Sequence, residues 1–492
     1  MLAPDYLDHA PDRLVLLWQQ VEDDILRDVA RRIGKMDALT PTANWQLWRY
    51  QQTEAVRKDV VKLLARYTGK SEAEIRRLMQ EAATAALEAE DEIYYHYGKE
   101  PTPFEESAPL QNLLNAGYRQ TAGSFSNLTA TTANTVSGAF EQALDRAWLQ
   151  VSSGAFDYKT AAKRAVDGLA DSMPYVTYPS GHRDTLEVAC RRAVLTGVNQ
   201  TGAKLQEARM DEMGASFVEV TAHGGARPSH AVWQGKRYHR GGAADYLGQH
   251  YEDFESATGY GTGAGLCGWN CRHTFFVVFP ELGSPPAWTQ ESLEALNARN
   301  IEYDGRLYTR YEISQMQRAR ERAVRKWKRR YLAEDAAGAD TTASAVKLRQ
   351  ARQSLADFTR ATGGRVDSAR TSVHGFGRSA SSKAAWAVRH NTLTNTAGQT
   401  IIKVSKSNIT GPRNGITQKT NAKGGIDRNY YGPDGRQTKQ ISNNGHGHKV
   451  EEALGKHGEH AHDYIFDAEG HLCDRPSREL TDAERKENSD IL

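Results

Sequence analysis

Apolar residues recur at spacings of three and four along the first hundred positions. Leu14, Trp18, Val21, Ile25, Val29 and Ile33 form one stripe with charged residues between them, the pattern of a helix that buries one face. Ile75, Leu78, Met79 and Ala82 carry the pattern on towards Tyr95. The string SEAE at residues 71–74 has capping-box spacing, in which a hydroxyl and a carboxylate each satisfy an orphan amide, so a helix start is expected there. Pro101 and Pro103 break the pattern, because proline lacks the amide donor a helix needs. Residues 104–215 are small and polar, and the string SFSNLTATTANT at 124–135 leaves helix and loop both open. Residues 186–213 read as a better helix, with Gly214 where a C-terminal glycine cap falls.

The period then changes. Residues 217–221 alternate as a half-buried strand does, and FFVVF at 275–279 is a second strand candidate closed by Pro280. The stretch between them must lie on loops and short helices. Residues 288–358 read as helical again. Gly, Ser and Arg dominate 363–382, which suits a flexible junction. Residues 401–404 predict a strand, and 427–431 with 436–441 predict a hairpin turning on Pro433, Asp434 and Gly435. The fold class read from these elements is α+β, mainly helical. Its parts are a helical assembly region at 1–100, a central small α+β domain at 101–285, a basic helical segment at 286–360, a Gly/Ser-rich junction at 361–394, and a His-rich C-terminal module with a β-hairpin at 395–492.

Composition narrows the class. A chain of 492 residues exceeds one ordinary domain. Its mean hydropathy of −0.66 is low for a compact enzyme and fits long exposed helices. The net charge of +2 provides no global field to draw the whole chain to DNA. Four cysteines are too few for a disulfide scaffold, so a reducing cytosol is expected. Residues 1–20 lack the basic and apolar regions of a secretory signal, and no apolar run approaches the ~20 residues of a membrane span.

Three motifs stand in order between the two strands: HGGARPSH at 223–230, WQGK at 233–236, and CGWNCRH at 267–273. Cys267, Cys271, His273, His223 and His230 are candidate ligands of zinc or another divalent metal, since thiolate and imidazole hold it tetrahedrally. Against that, the histidine partners lie about forty residues from the cysteines, and the same residues serve equally as a hydrogen-bonded structural core. Catalysis by Cys271 with a histidine finds no identifiable oxyanion hole or orienting acid. Arg227 before Pro228 fixes a turn, Trp233 buries a large surface, and the glycines permit tight backbone paths.

Residues 318–330 carry eight Lys or Arg in thirteen positions: Arg318, Arg320, Arg322, Arg325, Lys326, Lys328, Arg329 and Arg330. Such a run favours phosphate contact, while the plain alternative is a solvated face with Glu partners. Six of the sixteen histidines lie between 446 and 471. Among them His457, His460 and His462, with Asp463, mix imidazole and carboxylate as a divalent-metal or general-base site would, and as a polar loop also would.

Taken in order, these motifs resemble the minor capsid protein 2 family of tailed bacteriophages, related to Mu F-type head-morphogenesis proteins. The matching features are Arg191, TGVNQ at 196–200, the stretch 223–230, WQGK at 233–236, GYGT at 259–262, and the stretch 265–273. The resemblance spans roughly residues 10–385 and marks 101–285 as the head-morphogenesis domain. It implies a structural component of the phage head in few copies near the portal, active in head assembly or genome packaging and delivery. Its implied partners are the portal, other head proteins and phage DNA, with no membrane; its implied place is the virion, after assembly in the host cytoplasm. It establishes no catalytic residue; Arg227, Pro228, Trp233, Gln234, Gly235, Asn270 and Arg272 carry over as fold-defining. The C-terminal module departs from it. That leaves as an alternative a head protein carrying a metal-dependent, nuclease-like effector, and as a third reading a DNA-binding protein driven by the 318–330 helix.

Overall fold

The computed structural model describes residues 1–35, 42–172, 175–178, 182–445, 447–467 and 469–492. The chain divides into two units, one of Met1–Ala339 with Arg352–Gly375, the other of Asp340–Ala351 with Phe376–Leu492.

The first unit is a helical body with a small sheet. Its helices are α1 (Pro4–His9), α2 (Asp12–Gly34), α3 (Thr42–His96), α4 (Ala108–Ser152), α5 (Tyr158–Ser172), α6 (Leu186–Met213), the short α7 (Pro228–Ala231) and α8 (Phe254–Thr258), α9 (Gln290–Asn297) and α10 (Arg310–Ala336). The apolar stripe of α2 is buried as its spacing predicts: Leu14, Trp18, Val21, Ile25, Val29 and Ile33 all lie in the main core. At 1.5 Å per residue, the 55 residues of α3 extend roughly 80 Å. The expected helix start at Ser71 does not occur, because Ser71 lies inside α3. Its hydroxyl donates to Tyr67 O at 2.9 Å and accepts from Trp18 Nε1 at 3.0 Å, so the side chain that would cap a helix instead satisfies a buried indole. Residues 124–135 are helical within α4. Small residues let α4 and α6 approach closely: a Cβ on Gly197 would stand 2.1 Å from Thr121 Oγ1, and one on Gly117 equally near Thr201 Oγ1.

The helix α6 occupies the predicted 186–213, with Thr185 capping its start and Gly214 at φ 65° closing its end. Strands β1 (Tyr175–Thr177) and β2 (Arg183–Thr185) pair before it. After it, β3 (Phe217–Val220), β4 (Arg237–His239), β5 (Ala244–Tyr246), β6 (Gln249–Tyr251) and β7 (Phe275–Val277) follow. They make a three-stranded antiparallel sheet, order β4-β3-β7, with Val218 opposite both Tyr238 and Val277, and a separate β5–β6 hairpin. A second core forms over this sheet from Val218, Val220, Trp233, Tyr238, Phe254, Phe275 and Val277.

The 288–358 region is not wholly helical. It contains a hairpin, β8 (Ile301–Tyr303) and β9 (Arg306–Tyr308), turning on Asp304 and Gly305, both at positive φ. The Asp-Gly pair is the turn signal, but three-residue strands are too short to show alternation. Beyond α10 come α11 (Thr342–Ala361), shared between the units, and α12 (Ser368–Thr371).

The second unit includes α13 (Arg378–Asn391), so helices α12 and α13 form inside the stretch expected to be a flexible junction. Its strands are β10 (Thr392–Thr394), β11 (Thr400–Lys403), β12 (Ile416–Thr420), β13 (Ile426–Tyr431), β14 (Gln437–Ser442), β15 (His460–Asp463), β16 (Ile465–Phe466), β17 (Leu472–Asp474) and β18 (Ser477–Arg478), with α14 (Lys449–Glu452) and α15 (Asp482–Glu487). Seven strands form one sheet in the order β10-β11-β12-β13-β14-β15-β18, antiparallel except for β11–β12. The predicted hairpin is β13–β14, closed by Gly435 at φ 83°. Arg428 is fully buried and donates to Gln418, Asn488 and Asp490.

Candidate functional site

The motifs of the first unit converge. The loop after β3 carries His223, and Arg227 with Pro228 opens α7, which bears His230. Trp233, Gln234 and Gly235 follow, and Gly235 takes φ 68° where a Cβ would stand 2.5 Å from Leu293 Cδ2. The glycine loop and the cysteine loop fold onto each other. A Cβ on Gly265 would approach Gly259 O to 2.0 Å, and Cys267 and Asn270 both adopt left-handed backbone.

Hydrogen bonds fix the rings. A carbonyl only accepts, so His230 Nε2, 2.9 Å from Ala264 O, carries the proton. Gln234 Oε1 accepts from the His223 amide at 3.1 Å, while its amide nitrogen donates to Asn297. The same oxygen lies 2.9 Å from His273 Nε2, which therefore donates. Both rings then present bare Nδ1 atoms, 3.4 Å apart, and each is 3.6 Å from Cys271 Sγ. Burial lowers His230 to about 4 and His273 to about 2, and the other imidazoles and Arg227 add to the effect on His273. Burial also raises the Cys267 and Cys271 thiols. A thiol held protonated beside neutral imidazoles is not an activated nucleophile.

Of the five candidate metal ligands, His230, Cys271 and His273 bring donor atoms into one cluster. Cys267 Sγ donates to His273 O at 3.6 Å, and His223 Nδ1 approaches Gly224 O at 3.2 Å. The fold-defining candidates each make a structural bond or fill a turn. Arg227 donates to Trp269 O and Arg272 pairs with Asp8; Pro228 starts α7; Asn270 supplies a left-handed turn. Sequence reasoning did not single out three further anchors. Asn199 donates to Cys271 O and His273 O, and Glu90 with Gln206 ties α3 and α6 to β7. Asn199 lies in the TGVNQ string, so a signal existed; Glu90 and Gln206 carried none. A cavity of about 250 Å3, lined by His223, Arg227, His230, Cys271, His273 and Arg318 among others, adjoins this cluster.

The basic run lies on α10 and is largely turned inward. Arg325 pairs with Glu187, Arg329 with Glu22 at 2.6 Å and Asp23 at 3.3 Å, Arg330 with Asp167, and Lys326 with Asp171 at 3.1 Å. Lys328 donates to Thr371 O, and burial beside Arg352 and Arg325 lowers it to about 8. Arg320 covers the Phe358 ring, Arg318 is half-buried, and Arg322 is exposed.

In the second unit the histidines separate. His460 and His462 share one face of β15, their Nε2 atoms 3.0 Å apart, with Glu451 of α14 3.3 Å from His462 and 3.8 Å from His460. Burial and the Arg475 cation lower His462 to about 4. His457 is exposed, and Asp463 turns to Arg478. His446 lies outside the described residues.

The motif residues lock the loops of this helical body together by buried hydrogen bonds. Residues 2–360 match the family described as phage minor capsid protein 2, and the chain belongs to that family. It is thus a phage structural protein of the virion whose partners are other head proteins, with a C-terminal module beyond the matched region. No curated protein and no solved structure matches the chain. Among the described residues no helix is long and apolar enough to cross a membrane.

Proposed function

We propose that the chain is a few-copy head component placed near the portal, folded in the host cytoplasm and acting in head assembly or genome packaging and delivery. The observation that carries this reading is the family match across the first unit. Support comes from long helices that leave Leu47, Tyr50, Val61 and Leu149 exposed along α3 and α4, apolar positions suited to contacts with other head proteins. DNA contact through α10 gains little support, because freeing Arg325, Arg329 or Arg330 for phosphate would strand buried carboxylates. Cross-linking mass spectrometry on purified heads tests the placement. Links to the portal and a copy number far below that of the major shell protein are expected. Absence from filled heads, or links only within the shell lattice, refutes it.

A second reading, an effector module at 395–492, is favoured by one observation. Asp427, Asn429, Gln440, Ser442, His460 and His462 occupy one face of β13, β14 and β15 by register, and Glu451 joins the two histidines. Two imidazoles and a carboxylate are the donor set of a hydrolytic metal centre. The full chain is incubated with DNA or RNA and Mn2+ or Zn2+. Cleavage lost in His462→Ala supports this reading, and no cleavage with any of these metals removes it.

A further inference from the structure

The cluster in the first unit has dimensions that a hydrogen-bonded core does not require. Tetrahedral zinc, with Zn–N of ~2.0–2.1 Å and Zn–S of ~2.3 Å, sets two nitrogens ~3.3–3.4 Å apart and each nitrogen ~3.6 Å from the sulfur. The separations here are 3.4 Å between His230 Nδ1 and His273 Nδ1, and 3.6 Å from each to Cys271 Sγ. With both Nε2 protons committed to Ala264 O and Gln234 Oε1, neither Nδ1 has a proton to give the other. Two lone pairs therefore face each other in a buried site, an arrangement a cation resolves.

The surroundings match what holds metal ligands in place. Each imidazole donates its far N–H to a fixed oxygen, which orients the ring and raises its basicity. The His273 amide points at Cys271 Sγ from 3.4 Å, as donors to a thiolate do. Asn199 clamps the carbonyls of both Cys271 and His273, so the ligand loop is held from behind. Two guanidiniums that line the cavity have other partners, Arg227 in Trp269 O and Arg272 in Asp8.

We propose that His230 Nδ1, His273 Nδ1 and Cys271 Sγ hold one zinc ion, with its fourth position facing the cavity of about 250 Å3 that all three residues line. Binding releases the Cys271 thiol proton and leaves the imidazoles neutral, so affinity falls as pH drops. Cys267 is not a ligand, since its sulfur lies outside the cluster formed by the other three donor atoms. This site is independent of where the chain stands in the head, because its test uses the isolated protein.

The full-length chain is loaded with Co2+ and read by absorption, then with Zn2+ and read by elemental mass spectrometry. A sulfur-to-cobalt charge-transfer band with tetrahedral ligand-field intensity is expected, a band the His460–His462–Glu451 cluster cannot give. Cys271→Ser should abolish the band and remove one zinc equivalent, while Cys267→Ala and His462→Ala keep the band. Circular dichroism of Cys271→Ser checks folding. If that variant unfolds, the wild-type band together with its survival in Cys267→Ala still supports the site. A loaded wild-type chain with no thiolate band, or loss of the band in Cys267→Ala, overturns the assignment.

Discussion

Replacing Arg329 by Met tests whether the basic run of α10 is a structural core. Its guanidinium lies 2.6 Å from Glu22 and 3.3 Å from Asp23, carboxylates that are 0% and 3% exposed. Removing one partner of a buried pair leaves charge without compensation, at about 3–5 kcal/mol. For a unit of roughly 360 residues, an unfolding entropy of ~2.1 cal/mol/K per residue converts 4 kcal/mol into a Tm drop of about 5 °C. The sign with pH is also fixed. Burial holds Asp23 at about 6, above its ordinary 3.8, even with Arg329 present. The folded state therefore binds this proton more readily than the unfolded one, and Asp23 favours folding more as pH falls from about 6 to 3.8. Without Arg329 that pKa rises further. The variant's deficit should thus be largest near pH 8 and shrink towards pH 5. Calorimetry at both pH values measures it, with Arg322→Gln, exposed on the same helix, staying within about 0.5 kcal/mol of wild type. An unchanged Tm at pH 8, or an equal deficit at pH 5, would refute the buried-pair argument.

Gly197→Ala places a methyl 2.1 Å from Thr121 Oγ1 and should cost about 1–3 kcal/mol by overpacking, read as a lower urea midpoint. Gln234→Ala strips the acceptor from the His223 amide and from His273 Nε2. A loss of about 2–4 kcal/mol is expected from two stranded buried donors, against a null result if water replaces the amide. Arg428→Leu frees Asn488 and Asp490 from the sheet, so hydrogen exchange at residues 488–492 should accelerate at least tenfold. Glu459 is held at about 2 by Arg485 and the amides of Lys456 and His457 despite its burial. A depressed carboxylate contributes stability above its unfolded value and loses it as pH falls from about 4.5 to 2. Exchange in β15 should accordingly rise across that window in wild type and stay flat in Glu459→Gln.

The capping boxes show where local signals suffice and where they fail. Strings with a Ser or Thr followed three residues later by Glu include 71–74, 309–312 and 481–484. The latter two start α10 and α15 with both reciprocal bonds formed. The first lies within α3 because Trp18, 53 residues away, needs the Ser71 hydroxyl. Nothing near Ser71 in the chain carries that information.

The order of the motifs, the stripe of α2, the bounds of α6 with its Gly214 cap, the β13–β14 hairpin and the family itself are determined by the sequence. Each depends on residues close together along the chain or on their order. Which three of five candidate ligands meet, which two of four C-terminal candidates meet Glu451, and whether Arg329 faces solvent or Glu22 were decided only by the tertiary structure. Those outcomes depend on contacts between segments tens to hundreds of residues apart, where burial penalises any polar group left without a partner. A string of cations or histidines specifies the charges and donors available. Only packing specifies what they face.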